Sequence, residues 1–295
     1  DPIQVGEPVD VADAMTLRLR LDTDEGARGL LPLGLGLADG NRNSNLEIDP
    51  VRVHERPMRV DDGGDLRAAI DIAAPETTVA LDGDGWDLSA ESFEPPLPES
   101  RYRNPVYDGT RDDRAGLMID KPLDVAAAEG SDPTLTVGSG DSGSRTFGLQ
   151  VASHFVTLAG VEVEAEGATG AVSVLDGDGV RLSDLTLSGA ANGVYAQFAK
   201  SLVVTGSTIS AAETGVALRE FSEGASVEAN TIRDAETGVF LSGRLGERLF
   251  DVEAAVTGNT IERIGTEIDT DGTARIVGGD GAARRGGGQP PGSSM

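Results

Sequence analysis

The sequence predicts an all-β solenoid, a parallel β-helix, because a short unit is repeated along the chain. Apolar and polar residues alternate within this unit, as they do in strands. A glycine that starts each unit recurs along the chain, at Gly116, Gly148, Gly170, Gly193, Gly215 and Gly238. The successive differences between these positions are 32, 22, 23, 22 and 23 residues. The alternation is seen in Val161-Glu162-Val163 and is typical of strands. So short a unit cannot bury its apolar face alone, and copies stacked about 4.8 Å apart close a continuous core.

Stacking the units aligns three columns of apolar residues that would form this core. The first column holds Leu158, Leu182, Val204, Val227 and Val256. The second lies five residues later in each unit and holds Val163, Leu187, Ile209, Ile232 and Ile261. The third follows the glycine and holds Leu117, Leu149, Val194, Val216 and Val239. The unit that starts at Gly170 fits after a slip of one residue. A leucine-rich repeat has a similar period, but its leucine motif is missing here.

A polar turn position is predicted to stack beside the core. Asn230 and Asn259 lie two residues before the second column, and Ser207 holds the same position one rung earlier. Stacked Asn side chains bond along the axis of a solenoid and tolerate a left-handed backbone.

The regions outside the regular units predict a cap and several irregular segments. Asp65 to Ala74 is predicted as a short amphipathic capping helix, and Trp86 as a core or cap residue in the strand that follows. Residues 91–113 are rich in Pro and Arg and are predicted as a long excursion. We assign residues 61–277 to the β-helix, residues 1–60 to a small N-terminal β extension or flap, and residues 278–295 to a flexible Gly/Pro/Ser-rich tail.

The repeats resemble those of right-handed parallel β-helix proteins. The matching sequence motifs are Gly215-Val216-Ala217-Leu218, Gly238-Val239-Phe240-Leu241 and the Val-x-x-Asn-Thr-Ile segments that end at Ile232 and Ile261. They are similar to the NosD-like and carbohydrate-binding or sugar-hydrolase group, which is related in fold to pectate lyases. The resemblance covers about residues 60–270 and implies a right-handed coil. It implies no single activity, because this fold hosts lyases, hydrolases, binders and fibres.

Composition excludes several classes of function. The chain has 24 Lys+Arg against 50 Asp+Glu, and a net charge of −26 argues against nucleic-acid binding. Cysteine is absent and only His54 and His154 are present, which excludes thiolate sites and a three-histidine zinc site. No apolar run approaches the roughly 20 residues of a transmembrane helix. The acidic excess together with the scarcity of Lys predicts a salt-adapted protein, and the alternative is an acidic secreted protein from a low-salt habitat. We also expect the protein to be exported or on the cell surface, although no signal peptide is visible.

Groups that could carry catalysis are sparse, and no catalytic residue is assigned. The resemblance to polygalacturonase-type hydrolases would imply Gly-His-Gly and Arg-x-Lys elements, and both are missing. His154 is interpreted as an ordinary histidine at a strand boundary. Asp176 and Asp178, at a corner, could hold Ca²⁺ weakly through their oxygens, but two carboxylates are only a fragment of a site. The alternative is that they are solvated surface acids. No other cofactor is evident.

The strand after each glycine offers a candidate ligand-binding face. Because side chains alternate along a strand, residues two and four positions past the glycine point outward. These positions hold Gln150, Tyr195, Gln197, Arg219 and Phe240. Aromatic and amide groups on adjacent rungs suit stacking and hydrogen bonding to a sugar chain. The alternative is that Tyr195 and Phe240 are simply covered by the N-terminal module.

One rung is longer than its neighbours and predicts a projecting loop. Gly238 to Val256 spans six residues more than the matching segment from Gly215 to Val227, and the extra length falls within residues 242–254. Loops on a rigid scaffold often carry function, but we favour a plain surface excursion with internal ion pairs here.

We interpret the chain as a non-catalytic, exported or cell-surface scaffold that binds a glycan or a protein partner. A second hypothesis is a polysaccharide lyase or glycoside hydrolase with a divergent site, in which Arg181 or Arg219 would act near Asp176 and Asp178. A third is a structural component of a surface layer or fibre.

Overall fold

The computed structural model describes residues 57–61, 64–92, 113–138, 145–220, 222–245, 248–249, 252–270 and 274–276, all within one compact unit. The predicted N-terminal extension before residue 57, residues 93–112 of the predicted excursion and the predicted tail lie outside the described residues. Among the described residues, no helix has the length and apolar character needed to span a membrane.

The described elements are one helix and a succession of short strands. The first part contains β1 (Met58–Val60), α1 (Leu66–Ile72), β2 (Thr77–Leu81), β3 (Gly85–Leu88), β4 (Glu91–Ser92), β5 (Arg114–Ile119), β6 (Leu123–Ala127) and β7 (Thr134–Val137). The middle contains β8 (Thr146–Val151), β9 (Thr157–Ala159), β10 (Glu162–Glu164), β11 (Gly170–Leu175), β12 (Arg181–Ser183), β13 (Thr186–Ser188), β14 (Asn192–Gln197), β15 (Val203–Thr205) and β16 (Thr208–Ser210). The last part contains β17 (Thr214–Arg219), β18 (Glu223–Glu228), β19 (Thr231–Arg233), β20 (Thr237–Ser242), β21 (Arg244–Leu245), β22 (Arg248–Leu249), β23 (Val252–Thr257), β24 (Thr260–Glu262), β25 (Thr266–Thr270) and β26 (Ala274–Ile276).

Three long sheets form the faces of the solenoid. Each complete turn of the chain, or rung, gives one strand to each sheet. The first sheet has the order β1-β2-β6-β9-β12-β15-β18-β23-β26, the second β24-β19-β16-β13-β10-β7-β3 and the third β25-β20-β17-β14-β11-β8-β5-β4. Within these three sheets, neighbouring strands are parallel except that β4 pairs antiparallel with β5. The fold is the predicted right-handed parallel β-helix.

The three predicted columns are confirmed residue by residue. Leu158, Leu182, Val204, Val227 and Val256 are direct partners in the first sheet. Val163, Leu187, Ile209, Ile232 and Ile261 are direct partners in the second. Leu149, Val172, Val194, Val216 and Val239 are direct partners in the third. Except for the half-buried Ile261 in the second column, these side chains are buried and form one core.

The glycine of each unit recurs because its backbone faces the core where no side chain fits. A Cβ added to Gly215 would lie 2.6 Å from the carbonyl oxygen of Gly238 and would also clash with Cγ2 of Ile232. Ala171 replaces this glycine in the unit that slips by one residue, since its neighbours Gly170 and Val172 pair with Asn192 and Val194. The second-column residue of that rung is Leu187, which lacks the β-branch of Ile232.

The predicted polar turn forms a hydrogen-bonded ladder along the solenoid axis. Oδ1 of Asn259 accepts from the backbone N–H of Asn230 at 2.9 Å, and Oδ1 of Asn230 accepts from that of Ser207 at 2.9 Å. Oγ of Ser207 continues the ladder by accepting from the N–H of Leu185 at 3.1 Å. Each side chain therefore satisfies a backbone donor that would otherwise be buried without a partner.

We expect Asn230→Ala to lower the free energy of unfolding by about 2–4 kcal/mol, because it strands the buried N–H of Ser207 and the carbonyl of Val204. Urea denaturation followed by circular dichroism measures the loss. Asn259→Ala is the matched control, since Asn259 is less buried and lies on a later rung, so the same truncation should cost less. Equal stability of Asn230→Ala and the wild type would contradict this role of the ladder.

The predicted capping helix covers the N-terminal end of the core. Asp65 is its N-cap, and the carboxylate accepts from the N–H of Ala68 at 3.1 Å. Leu66 and Ile70 bury the apolar face of α1 against the first rungs. Trp86 is buried in β3 and its indole N–H donates to the carbonyl of Gly64 at 3.2 Å, so it belongs to both core and cap.

Candidate functional site

The five central strands of the third sheet, β8, β11, β14, β17 and β20, carry no exposed side chain, unlike many strands of the other two sheets. Strands β8 and β11 are buried throughout, whereas β12 and β13 carry the exposed Arg181 and Thr186 on their outer sides. The outward side chains of the third sheet are therefore largely removed from water, and the few that still reach solvent are the ones available to a ligand.

The structure places the five predicted ligand residues in two outward columns of this sheet. Gln150, Tyr195 and Phe240 share one column, with Ser173 and Ala217 between them. Gln197 and Arg219 are direct partners in a second column, two residues further along the strands.

Accessibility divides these five residues into two groups. Gln150 is 1% exposed and its amide donates to the carbonyl of Val151 at 3.1 Å, and Gln197 is 3% exposed. Tyr195, Arg219 and Phe240 are partly exposed. The surface that remains is therefore one arginine and two aromatic rings on three successive rungs.

Arg219 lies between the two aromatic side chains. Its guanidinium carbon is 5.4 Å from the ring centroid of Tyr195 and 5.2 Å from that of Phe240. Both distances are within the range of a cation–π interaction, which fixes the arginine and the rings against each other. Among the described residues, none forms an ion pair with Arg219, and its Nε atom is buried without a hydrogen-bond partner.

Tyr195, Arg219 and Phe240 form a row along the solenoid axis. This row continues towards the N-terminus through residues that the sequence analysis missed. The ring of Phe147 lies 5.9 Å from that of Tyr195, and the guanidinium of Arg145 lies 5.7 Å from the ring of Phe147. Gly170 lies between the two rings, and a Cβ there would be 3.3 Å from both side chains. The sequence analysis considered only positions after the unit glycine, and Phe147 precedes Gly148.

The two arginines of the row differ in their charge partners. Arg145 forms a bidentate ion pair with the buried carboxylate of Asp113, with Nε 3.0 Å from Oδ1. Arg219 has no such partner among the described carboxylates, although acidic residues outnumber basic ones two to one along the chain. Arg219 is therefore the member of the row whose charge is left for a ligand.

The five central strands of this sheet carry no carboxylate. The sequences of β8, β11, β14, β17 and β20 contain neither Asp nor Glu. Glycoside hydrolysis usually needs two carboxyl groups about 5–9.5 Å apart across the scissile bond. These five strands do not supply such a pair.

Asp176 and Asp178 lie on the turn between β11 and β12, as predicted. Both are half-buried, and the N–H of Asp178 donates to Nδ1 of His154 at 3.0 Å. Within the described ranges, no group of three His, Cys, Asp or Glu side chains is placed to hold a metal ion. The weak Ca²⁺ site at these two carboxylates stays a prediction.

The long rung folds into a small hairpin. Strands β21 and β22 pair antiparallel, with Arg244 opposite Leu249 and Leu245 opposite Arg248. Glu253, which was expected in the loop, lies in β23 instead and pairs with Glu223 of β18. The insertion therefore has regular structure of its own between β20 and β23.

Comparison with known proteins gives one family match and several similar structures. The model of the family described as periplasmic copper-binding protein (NosD) matches residues 131–277. No curated protein matches the chain. The family match agrees with the resemblance seen in the repeats: residues 131–277, just under half of the chain, are similar to that family.

Three solved structures resemble this chain. Pectate lyase Pel9A has 13% identity and a TM-score of 0.49, over 69% of this chain and 50% of that one. An alginate lyase from Paenibacillus sp. str. FPU-7 has 13% identity and a TM-score of 0.45, over 78% and 95% of the two chains. A rhamnogalacturonan lyase has 12% identity and a TM-score of 0.44, over 74% and 58%. The match thus spans half of the pectate lyase.

The described residues do not fit the copper ion that the matched family's description names. Copper sites in proteins are built mainly from Cys, Met and His side chains. The chain has no cysteine. His154 is the single histidine within the described ranges, and its Nδ1 already accepts the N–H of Asp178. Within the described part of the chain, no group of three His, Cys, Asp or Glu side chains is placed to hold a metal ion at this histidine.

Proposed function

We propose that this chain is an exported β-helix scaffold that binds a glycan, without cleaving it, along the outer face of its third sheet. The observation that carries the proposal is the row formed by Tyr195, Arg219 and Phe240, with a cation held between two partly exposed rings. Aromatic rings offer flat apolar surface to the CH faces of sugars, and the guanidinium offers several hydrogen-bond donors. The periplasmic family matched by residues 131–277 supports export.

The spacing of the row suits an extended chain more than a compact ligand. Tyr195 and Phe240 lie on β14 and β20, which are separated by one intervening strand, so they are about 9.6 Å apart along the axis at 4.8 Å per rung. A glycan lying along the axis would meet one ring, the arginine and then the other ring on consecutive sugar units.

A polysaccharide lyase is the second candidate, because the three similar structures are lyases and Arg219 is an arginine without an acidic partner among the described residues. The lack of Asp and Glu in the five central strands favours the binding role, because these strands supply neither a carboxylate pair nor a cluster of calcium ligands.

A glycan array followed by titration calorimetry tests the proposal, in molar salt to screen the net charge of −26. We expect the wild type to bind at least one glycan and Arg219→Ala to weaken its Kd about tenfold or more, because the donors and both cation–π contacts are lost. Arg181→Ala removes an exposed arginine from a different sheet and should leave Kd unchanged.

Two results would contradict the proposal. If Arg219→Ala and the wild type bind the glycan with equal affinity, Tyr195, Arg219 and Phe240 do not form the binding site. Reducing-sugar or unsaturated-uronate product that is released by the wild type and disappears in Arg219→Ala would make the chain an enzyme.

A further inference from the structure

One turn position is left-handed in four successive rungs. It lies two residues before β9, β12 and β15 and falls on the second residue of β18, and it is occupied by Phe155, Gly179, Ser201 and Gly224, with φ values of 54°, 67°, 53° and 65°. Backbone bonds stack these turns, since the N–H of Phe155 donates to the carbonyl of Asp178 at 2.8 Å and that of Gly179 to the carbonyl of Lys200 at 2.9 Å. The position is suited to glycine, and a bulky residue there is a genuine conformational outlier.

Phe155 gains little from burial in return for this strain. It is 70% exposed and is one of two large hydrophobic residues exposed among the described residues, the other being Ile72. Strained backbone that packing does not repay is found mainly at functional sites. Neither the fold of the turn nor the core explains a phenylalanine here.

The ring of Phe155 is seated against the next rung and presents its remaining surface to water. A Cβ added to Gly179 would lie 2.8 Å from Cδ1 and 3.1 Å from Cε1 of Phe155, so the ring rests on the bare backbone of that glycine. The seat restricts the side chain, and the exposed part of the ring forms a small fixed platform.

Polar residues lie beside this platform on the same turn and on the next two rungs. The imidazole of His154 has its ring centroid 6.4 Å from that of Phe155, and its Nδ1 accepts the N–H of Asp178 at 3.0 Å. In the neutral imidazole the proton is then on Nε2, a donor with no hydrogen-bond partner among the described residues. Asp178 and Lys200 occupy the position of His154 on the next two rungs and add an acceptor and a donor along the axis.

We propose that this turn, formed by His154, Phe155, Asp178 and Lys200, is a second saccharide-binding contact that takes one neutral pyranose ring. It rests on the proposed function for its ligand class, but it lies outside the row of Tyr195, Arg219 and Phe240. The CH face of the sugar stacks on Phe155, and its hydroxyl groups meet Nε2 of His154 and the carboxylate of Asp178. A protein partner fits less well, because protein interfaces need a contiguous apolar core and the neighbours of Phe155 on this turn are polar or charged.

The test compares binding with stability, using cellohexaose, xylohexaose and mannohexaose as neutral probes in titration calorimetry. We expect Phe155→Gly to raise Tm by roughly 2 °C or more, because glycine relieves the left-handed strain, and to weaken Kd for the bound hexaose about tenfold. Phe155→Tyr keeps the ring and should keep the affinity. Ser201→Gly relieves the same strain two rungs away and should raise Tm without changing Kd.

Wild-type affinity of Phe155→Gly, or failure of all three hexaoses to bind the wild type, would overturn this inference. The proposed function has its own test, which compares the Kd of Arg219→Ala and of the wild type for the glycan identified on the array. If Phe155→Gly still binds the array glycan that Arg219→Ala no longer binds, the site at Tyr195, Arg219 and Phe240 is supported. The same result excludes the turn at Phe155 from binding.

Discussion

Ile232→Asp is expected to unfold the central rungs of the solenoid. Ile232 is fully buried in the second column, between Ile209 and Ile261. The change removes about 2–3 kcal/mol of hydrophobic burial and places a carboxylate where it has no partner, so the total loss should exceed about 5 kcal/mol. That loss is comparable with the whole stability of many domains, which is about 5–15 kcal/mol. Val227→Asp, in the first column, should behave in the same way.

Thermal melting followed by circular dichroism measures this loss, and Thr231→Asp is the matched control. Thr231 precedes Ile232 on β19 but is only half-buried, so its carboxylate can remain hydrated. Hydrogen exchange should show the rungs around β16, β19 and β24 losing protection first, because each rung of a solenoid contacts mainly its neighbours. An unchanged melt for Ile232→Asp would be incompatible with the observed core.

Gly215→Ala should destabilise the fold far more than its size suggests. The added methyl group meets both the backbone oxygen of Gly238 at 2.6 Å and the side chain of Ile232, and neither can retreat without moving a rung. We expect a loss of about 2–3 kcal/mol in the free energy of unfolding, measured by urea denaturation. Gly138→Ala is the control, because nothing lies within 4 Å of a Cβ at that position.

A second substitution tests the cause of this loss. The rung with Ala171 in place of the glycine has Leu187 in its second column, whereas the glycines at 148, 193, 215 and 238 each meet a β-branched second-column residue, such as Ile232 at Gly215. Ile232→Leu should therefore recover part of the stability lost in Gly215→Ala, since leucine has no Cγ2 at the point of contact. Strictly additive effects of the two changes would show that this contact is not the cause.

Much of the fold could be predicted from the sequence because it depends on a period. Side chains of a β-helix contact the equivalent side chains of the next rung, so a column such as Leu182, Val204 and Val227 is visible as spacing alone. The asparagine ladder and the N-terminal helix were predictable for a related reason, since both are encoded by a few neighbouring residues. The outward direction of Tyr195 and Arg219 also followed from strand alternation.

The candidate sites were predicted only in part, because exposure is not periodic. Gln150 and Tyr195 share one outward column, yet the glutamine is buried and the tyrosine reaches solvent. Phe147 joins the row only because Gly170 leaves room between two rings that come from rungs 48 residues apart in sequence. The role of Phe155 was missed because its strain and its seat on Gly179 appear only when the turns are stacked.

By itself, the sequence determined the rung length, the three core columns, the stacked polar turn and the helical cap, because each is a repeat or a local pattern that hydrophobic burial enforces at every copy. Only the tertiary structure decided which outward side chains stay accessible, that Arg219 lies between two rings and lacks an acidic partner among the described residues, and that Phe155 stands exposed on a strained turn. These properties depend on distances between side chains of different rungs, and such distances are set by how the rungs pack.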